Sequence, residues 1–210
     1  MTSAQQQAYD AGWKRWGLEA GATHLDWTAV FDNDKPVTVE IGFGMGDSLA
    51  TQAQAQPETN FLGVEVHTPG IGRLLALIEK HSLTNVRIIE NDAVTVMEQS
   101  IANHSIDGCN IFFPDPWHKK KHHKRRLLQD AFLVTLAKKL KPGGTLHIAT
   151  DWENYAEAIT EALSRAPGLE PLSIEKDAPV ARRRGRPDTK FERRGQRIGH
   201  SVWDIIAVAR

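Results

Sequence analysis

The residues best placed to do chemistry are carboxylates set at intervals beside apolar runs. Glu40 precedes a glycine-rich turn, Glu65 closes FLGVEV, Asp92 follows VRIIE, Asp115 follows CNIFF across one proline, and Asp151 follows TLHIA across one threonine. A single acid at a strand end is ordinary solvated surface. Five of them at one edge are improbable unless that edge receives a ligand that is cationic or rich in hydroxyl and amino donors.

The turn Glu40-Ile41-Gly42-Phe43-Gly44-Met45-Gly46 runs into a helix-period stretch, the arrangement by which a parallel sheet opens a ligand crevice. Glycine turns also serve packing alone, so the surroundings decide. A dinucleotide turn reads G-x-G-x-x-G, whereas here Asp47 holds the sixth position and Glu40 stands before the first glycine. A pyrophosphate would meet two carboxylates, which counts against a nicotinamide-dependent oxidoreductase of the same fold class. S-adenosylmethionine has no phosphate; its ammonium and sulfonium are positive, and its carboxylate suits a helix N-terminus. On this reading Gly42, Gly44 and Gly46 cradle the donor beside Glu40, Glu65 accepts the ribose hydroxyls, and Asp92 reaches the adenine amino group.

In Phe112-Phe113-Pro114-Asp115-Pro116-Trp117 two prolines hold one acid on a stiff, non-helical turn. The alternative is a rigid turn with Trp117 packed as a lid. The residues immediately C-terminal to it favour a ligand role: Lys119, Lys120, Lys121, Lys124, Arg125 and Arg126 crowd the mouth of the crevice with no acid among them. His118, His122 and His123 could suggest a metal, but the neighbouring cations oppose one and no Cys or acid accompanies them. Phosphate binding explains the same residues, with Trp117 available to stack on a base.

Charge is segregated. The chain is neutral, with 26 basic and 26 acidic residues, yet residues 117 to 126 hold six bases and 182 to 197 hold eight against Asp188 and Glu192 alone. The remainder is therefore acidic, and the pattern points to a polyanion-binding face. The second basic stretch, with Arg182, Arg183, Arg184 and Arg186 ahead of Thr189-Lys190-Phe191-Glu192, could be a disordered tail. Because the apolar run Val202 to Val208 resumes regular structure afterwards, it reads instead as an internal loop that folds over bound substrate.

Positioning these groups requires alternating strands and helices. The apolar runs predict strands at 37 to 41, 61 to 66, 86 to 90, 109 to 113 and 145 to 149. Helices are expected at 47 to 56, 69 to 82, 93 to 102, 127 to 140 and 152 to 166. Thr68 before Pro69 reads as a helix cap, and Gly143 with Gly144 as the end of the fourth helix. Strands near 169 to 175 and 201 to 209 could pair as an antiparallel edge. The fold class is thus α/β, a mostly parallel sheet flanked by helices, with residues 36 to 210 as one domain behind a helical preface at 1 to 35. A single Cys109 argues for a reducing compartment. With no apolar leader and no span long enough to cross a bilayer, a soluble cytoplasmic protein without a membrane partner is expected.

The blocks VEIGFGMG, FLGVEVHTPG, NDA, FPDPWHKKKHHKRR, PGGTLHIATDWENYA and RPDTKFERRGQRIGH together resemble the bacterial tRNA (guanine-N(7)-)-methyltransferase family from about residue 37 onward. The resemblance implies a Rossmann-like class I methyltransferase fold with a seven-stranded sheet. It implies S-adenosylmethionine held by Glu40, Glu65, Asp92 and Asp115, with Asp115 catalytic, and transfer to N7 of the variable-loop guanine at position 46 of tRNA. It further implies substrate contacts from Lys119, Asp151 and Thr189-Lys190-Phe191-Glu192, and an RNA-contacting stretch at Lys121, His122, His123, Lys124, Arg125 and Arg126. No metal and no obligate protein partner are expected, the chain acting as a monomer or homodimer. The sequence departs from many relatives at His118, where they carry proline, and in having few residues before the first strand, so a weaker or differently arranged grip on tRNA is expected.

Guanine N7 is an unprotonated sp² lone pair, so transfer to it requires no general base and positioning should dominate. A carboxylate beside the cationic product is stabilising, the role given to Asp115. An acceptor for the guanine N1–H and exocyclic amine could be Asp151 or Glu192.

Overall fold

Along β2 (Val37–Ile41) the side chains alternate, so Val37, Val39 and Ile41 enter one apolar layer while Thr38 and Glu40 face the opposite side of the sheet. The computed structural model describes residues 1–178, 185–187, 192, 199 and 201–210. β2 pairs in parallel with β3 (Asn60–Glu65) on one side and with β5 (Ile106–Phe112) on the other. Beyond β3 come β4 (Val86–Glu90) and β1 (Gly17–Leu18), both parallel. Beyond β5 come β6 (Leu140–Thr150), parallel, then β8 (Trp203–Ala209), antiparallel to β6, and β7 (Leu169–Lys176), antiparallel to β8. Strand order reverses between β2 and β5, which places the ligand crevice outside their carboxyl ends.

Two helical layers cover the sheet. One is α5 (Ala93–Gln99), α6 (Asp130–Lys139) and α7 (Glu153–Arg165), whose Val96, Leu133, Leu136, Ile159 and Leu163 bury against Val39, Ile41, Ile111 and Ile148. The other is α3 (Asp47–Ala55), α4 (Thr68–Lys80) and α1 (Ser3–Trp16), where Leu49, Leu74, Leu75, Ile78 and Trp16 bury against Phe61, Val86 and Ile88. Each such side chain stabilises the fold by roughly 1.5–3 kcal/mol, so the strand ends stand on a rigid base. A short α2 (Trp27–Phe31) lies between β1 and β2 in the chain.

The mostly parallel sheet and its antiparallel C-terminal pair are as expected, but the sheet has eight strands rather than seven. The extra strand comes from the N-terminal stretch: Gly17 and Leu18 pair with Ile88 and Ile89 of β4. α1 begins with a capping box between Thr2 and Gln5 and lies on α4 at Gly72, where a Cβ would stand 2.4 Å from the Gln5 carbonyl. Two local expectations are corrected. α4 is capped by His67, and the Thr68 hydroxyl donates instead to Glu90 Oε1 at 2.6 Å. α6 ends at Lys139, ahead of the glycines, because buried Leu140 already pairs with Ile106; left-handed Gly143 lies within β6, which shifts register against β5 between Ile106 and Gly108.

Candidate active site

The glycine turn has left-handed backbone at all three positions, with φ of 71° at Gly42, 58° at Gly44 and 77° at Gly46. The reasons differ. A Cβ at Gly46 would lie 2.7 Å from Leu74 Cβ, so that glycine allows α3 and α4 to approach. Cβ atoms at Gly42 and Gly44 would meet nothing within 4 Å, so the turn is open above them, as a ligand cradle requires. Gly70, the last residue of the block FLGVEVHTPG, lets α4 close on this turn from behind: a Cβ there would stand 1.9 Å from the Gly44 carbonyl oxygen.

A cavity of about 460 Å³ opens beside the turn, lined among others by Gly42, Glu65, Asp92, Asp115, Trp117 and Arg125. Its size falls within the range typical of small-molecule sites. Three of the five strand-end acids therefore meet. Glu65 Oε2 accepts the Gly44 amide at 2.9 Å, and its Oε1 accepts those of Val66 and His67 at 2.7 and 3.0 Å. Asp92 caps α5 through the Thr95 amide at 3.1 Å. Asp115 is exposed on its proline-flanked turn, whose ends Phe113 and Trp117 take left-handed φ of 53° and 48°. Bulky residues adopt that conformation only when the surroundings impose it.

Glu40 is not among the residues that line this cavity. The alternation of β2 turns it toward α3, where it is 2 % exposed and accepts from Gln52 Nε2 at 2.6 Å. Gln52 Oε1 in turn accepts from Asn110 Nδ2 at 3.0 Å, Asn110 being the register partner of Glu40 on β5. Burial pushes the Glu40 carboxyl up to about 8, against the opposing pull of the Gln52 hydrogen bond. Asp47 is engaged by Arg73, Nη2 to Oδ1 at 2.6 Å, which offsets its charge beside the turn.

The basic loop divides. Lys119, Lys121, Lys124 and Arg125 are exposed, the last three on a 3-10 turn over Lys120–Arg125. Arg125 stacks on Trp117, 5.0 Å from guanidinium carbon to ring centre, and His122 meets the same ring edge-on. His123 is half-buried, 3.1 Å from Arg126 Nη2. Arg126 points inward and is 6 % exposed: Nε donates to the Pro116 carbonyl at 2.8 Å, Nη2 to Asn154 Oδ1 at 3.0 Å, and the group lies over the Tyr155 ring. It fastens the Asp115 turn to α7, a role the charge run concealed.

Asp151 is half-buried just past β6 and is not among the residues that line the cavity. Thr189, Lys190 and Phe191 lie outside the described residues, as do Arg182, Arg183 and Arg184. Glu192 is buried and paired with Arg186. Tyr9 of α1 donates to Glu90 Oε2 at 2.7 Å, tying the N-terminal helix to the strand end next to Glu65, its register partner. Neither contact has a local sequence signal, since each joins residues that no spacing rule connects. Among the described residues no cluster of three or more His, Cys, Asp or Glu could hold a metal ion, and no helix is long and apolar enough to cross a membrane.

A family model described as "Putative methyltransferase" matches residues 34–205. The tRNA (guanine-N(7)-)-methyltransferase of Neisseria meningitidis serogroup A is 50% identical over 206 residues, covering 98% of this chain and 85% of that one. Among solved structures, the 16S rRNA methyltransferase KamB superposes with a TM-score of 0.66 at 14% identity, covering 89% of this chain and 95% of that one. The 16S rRNA (adenine(1408)-N(1))-methyltransferase W203A mutant from Catenulisporales acidiphilia, solved with cosubstrate SAM, gives 0.61 at 19%, covering 90% and 95%. At such identities these structures share the fold.

Proposed function

We propose, for a chain that belongs to the tRNA (guanine-N(7)-)-methyltransferase family, that the cavity beside the glycine turn takes S-adenosylmethionine and that the guanine it methylates is the variable-loop guanosine at position 46. The enzyme transfers a methyl group to N7 of guanine in tRNA. The observation that carries the donor assignment is the joining of Glu65, Asp92 and Asp115 in one cavity next to two glycines open to solvent. That donor set suits hydroxyls, an amino group and a positive centre, and repels phosphate. When bound, the donor supplies an electrophilic methyl on a sulfonium.

The chain's own residues then do three things. Glu65, already an acceptor of three backbone amides at fixed distances, is aimed to take the ribose hydroxyls; Asp92 takes the adenine amine. Glu40, whose carboxyl burial pushes up to about 8, would serve as an acceptor toward the donor's ammonium beside the glycine turn. Asp115, held on its turn by the prolines and by Arg126, stands against the positive charge that develops on guanine; no residue need remove a proton from N7. Lys119, Lys121, Lys124 and Arg125 engage RNA phosphates, and Trp117 offers a stacking face. The acceptor for the guanine edge is Asp151 or Glu192. The reaction belongs to the cytoplasm, where tRNA and the donor meet.

The test is direct: incubate the protein with methyl-labelled S-adenosylmethionine and bulk tRNA lacking the modification, then digest and map. Label in 7-methylguanosine from the variable loop supports the reading. Label in another nucleoside, or S-adenosylmethionine failing to bind in calorimetry, removes it.

A further inference from the structure

Arg186 is 1 % exposed, as deeply buried as the core leucines, although it belongs to a basic stretch that sequence alone assigns to solvent or RNA. Its hydrogen bonds explain how. Nε and Nη2 donate to the two oxygens of Asp204 on β8 at 2.7 and 2.6 Å. Nη1 donates to Glu192 Oε2 at 2.5 Å and Nη2 to Oε1 at 3.4 Å. His147 Nε2 on β6 reaches Asp204 Oδ1 at 2.8 Å, so strand pair and loop share one network. The guanidinium carbon also lies 5.9 and 5.6 Å from the ring centres of Phe112 and Phe113, the strand end that leads into Pro114-Asp115-Pro116.

Buried charges are tolerated only when paired and hydrogen-bonded, and such clusters are weak sources of stability compared with apolar packing. What this one supplies is position. Two carboxylates held at once by one planar fork have a fixed separation and orientation, which a lysine ammonium cannot impose. Resting on the reading of tRNA guanine as acceptor beside Asp115, we infer that Arg186 is a positioning residue for methyl transfer. It holds Glu192 and Asp204 together beside Phe112 and Phe113, the strand end that leads to Asp115, so that Glu192 acts on substrate through Arg186 rather than by touching the guanine.

The test uses the full chain with Arg186→Lys, Glu192→Gln and the double substitution, reading kcat/KM for tRNA and the dissociation constant of S-adenosylmethionine by calorimetry. Each single change is expected to lower kcat/KM for tRNA about 10- to 100-fold while donor affinity stays within about twofold, and the double should be no worse than the more damaging single, the signature of residues acting as a unit. Effects that multiply in the double would make Glu192 an independent reader of the guanine and overturn the inference. So would donor affinity falling in parallel with tRNA efficiency, which marks general loosening. Should Arg186→Lys fail to fold, Asp204→Asn loosens Arg186 from the sheet and leaves Glu192 intact; it must show the same split, and unchanged tRNA efficiency would overturn the proposal. An unsubstituted protein that binds the donor yet methylates no tRNA would defeat the proposed function itself, a result visible before any variant is made.

Discussion

On the proposed reading, the donor-facing and RNA-facing halves of this site are built by different means. On the donor side, each functional group stands within a few residues of the strand–turn–helix junction that positions it: Gly42, Gly44 and Gly46 after β2, Glu65 at the end of β3, Asp92 after β4. On the RNA side, placement depends on long-range side-chain bonds. Arg126 reaches Asn154, and Arg186 reaches Asp204 and Glu192. Local geometry repeats from protein to protein and can be read from spacing. Cations that look alike in a run do not announce which of them face inward.

If Asp115 is where the halves meet, removing it should cost the most. Asp115→Ala is expected to lower kcat by about 10³-fold, the scale of losing one group aimed at developing charge, with the thermal midpoint unchanged because the side chain is exposed. Labelled-methyl transfer and a melt on the same sample check it. Turnover near that of the unsubstituted chain would mean that the two halves have no shared catalytic group.

The next largest effect separates buried from exposed cations. Arg126→Met removes three contacts and leaves the Pro116 carbonyl, the Asn154 oxygen and the His123 ring without their partner, so it should cost roughly 2–4 kcal/mol of stability. Lys124→Met, two residues earlier, should cost within about 0.5 kcal/mol, as exposed surface changes do. Urea unfolding of both variants measures the difference, and equal losses would show that the run is uniform after all.

Glu40 tests the donor side alone. Its carboxyl titrates near 8 when folded against 4.5 for the unfolded chain. Below 4.5 both states hold the proton; between 4.5 and 8 only the unfolded state has lost it, so stability falls by up to about 1.4 kcal/mol per pH unit; above 8 the loss is complete. Glu40→Gln removes that slope. The variant should match the unsubstituted protein near pH 4.5 and exceed it by a few kcal/mol near pH 8, as measured by urea midpoints across that range. A pH dependence unaltered by the substitution would place the Glu40 carboxylate in water.

Much of the architecture was legible because alternation and turn chemistry are local. β2, β4 and the β7–β8 pair lie where the apolar runs put them, and the three glycines form the turn between β2 and α3 that the sequence places there. The misjudged details share one cause, competition from a distant partner. Thr68 gives its hydroxyl to Glu90 rather than to its own helix, and Leu140 enters the sheet before the glycines because Ile106 is there to pair with it. Gly17 and Leu18 become a strand only because β4 offers a free edge. Tyr9, Glu90, Gln52 and Asn110 carried no spacing signal at all.

The smallest expected effect concerns the exposed lysines and is read as a slope. Lys121 and Lys124 are exposed on the 3-10 turn, and no ion pair ties either to a carboxylate among the described residues. If each neutralises one phosphate, replacing both by alanine should reduce the dependence of log affinity on log salt by about 0.7 to 0.9 per contact, and lower affinity most at low ionic strength. The effect must fade as salt rises, because released counterions and not shape supply it. Arg126→Met, by contrast, removes a cation of the same run that faces the protein, so any affinity it loses should be independent of salt. Filter binding of tRNA between low and physiological salt distinguishes the two: a flattened slope for the lysine pair beside an unchanged slope for Arg126→Met supports the division, and the same slope in both variants dissolves it.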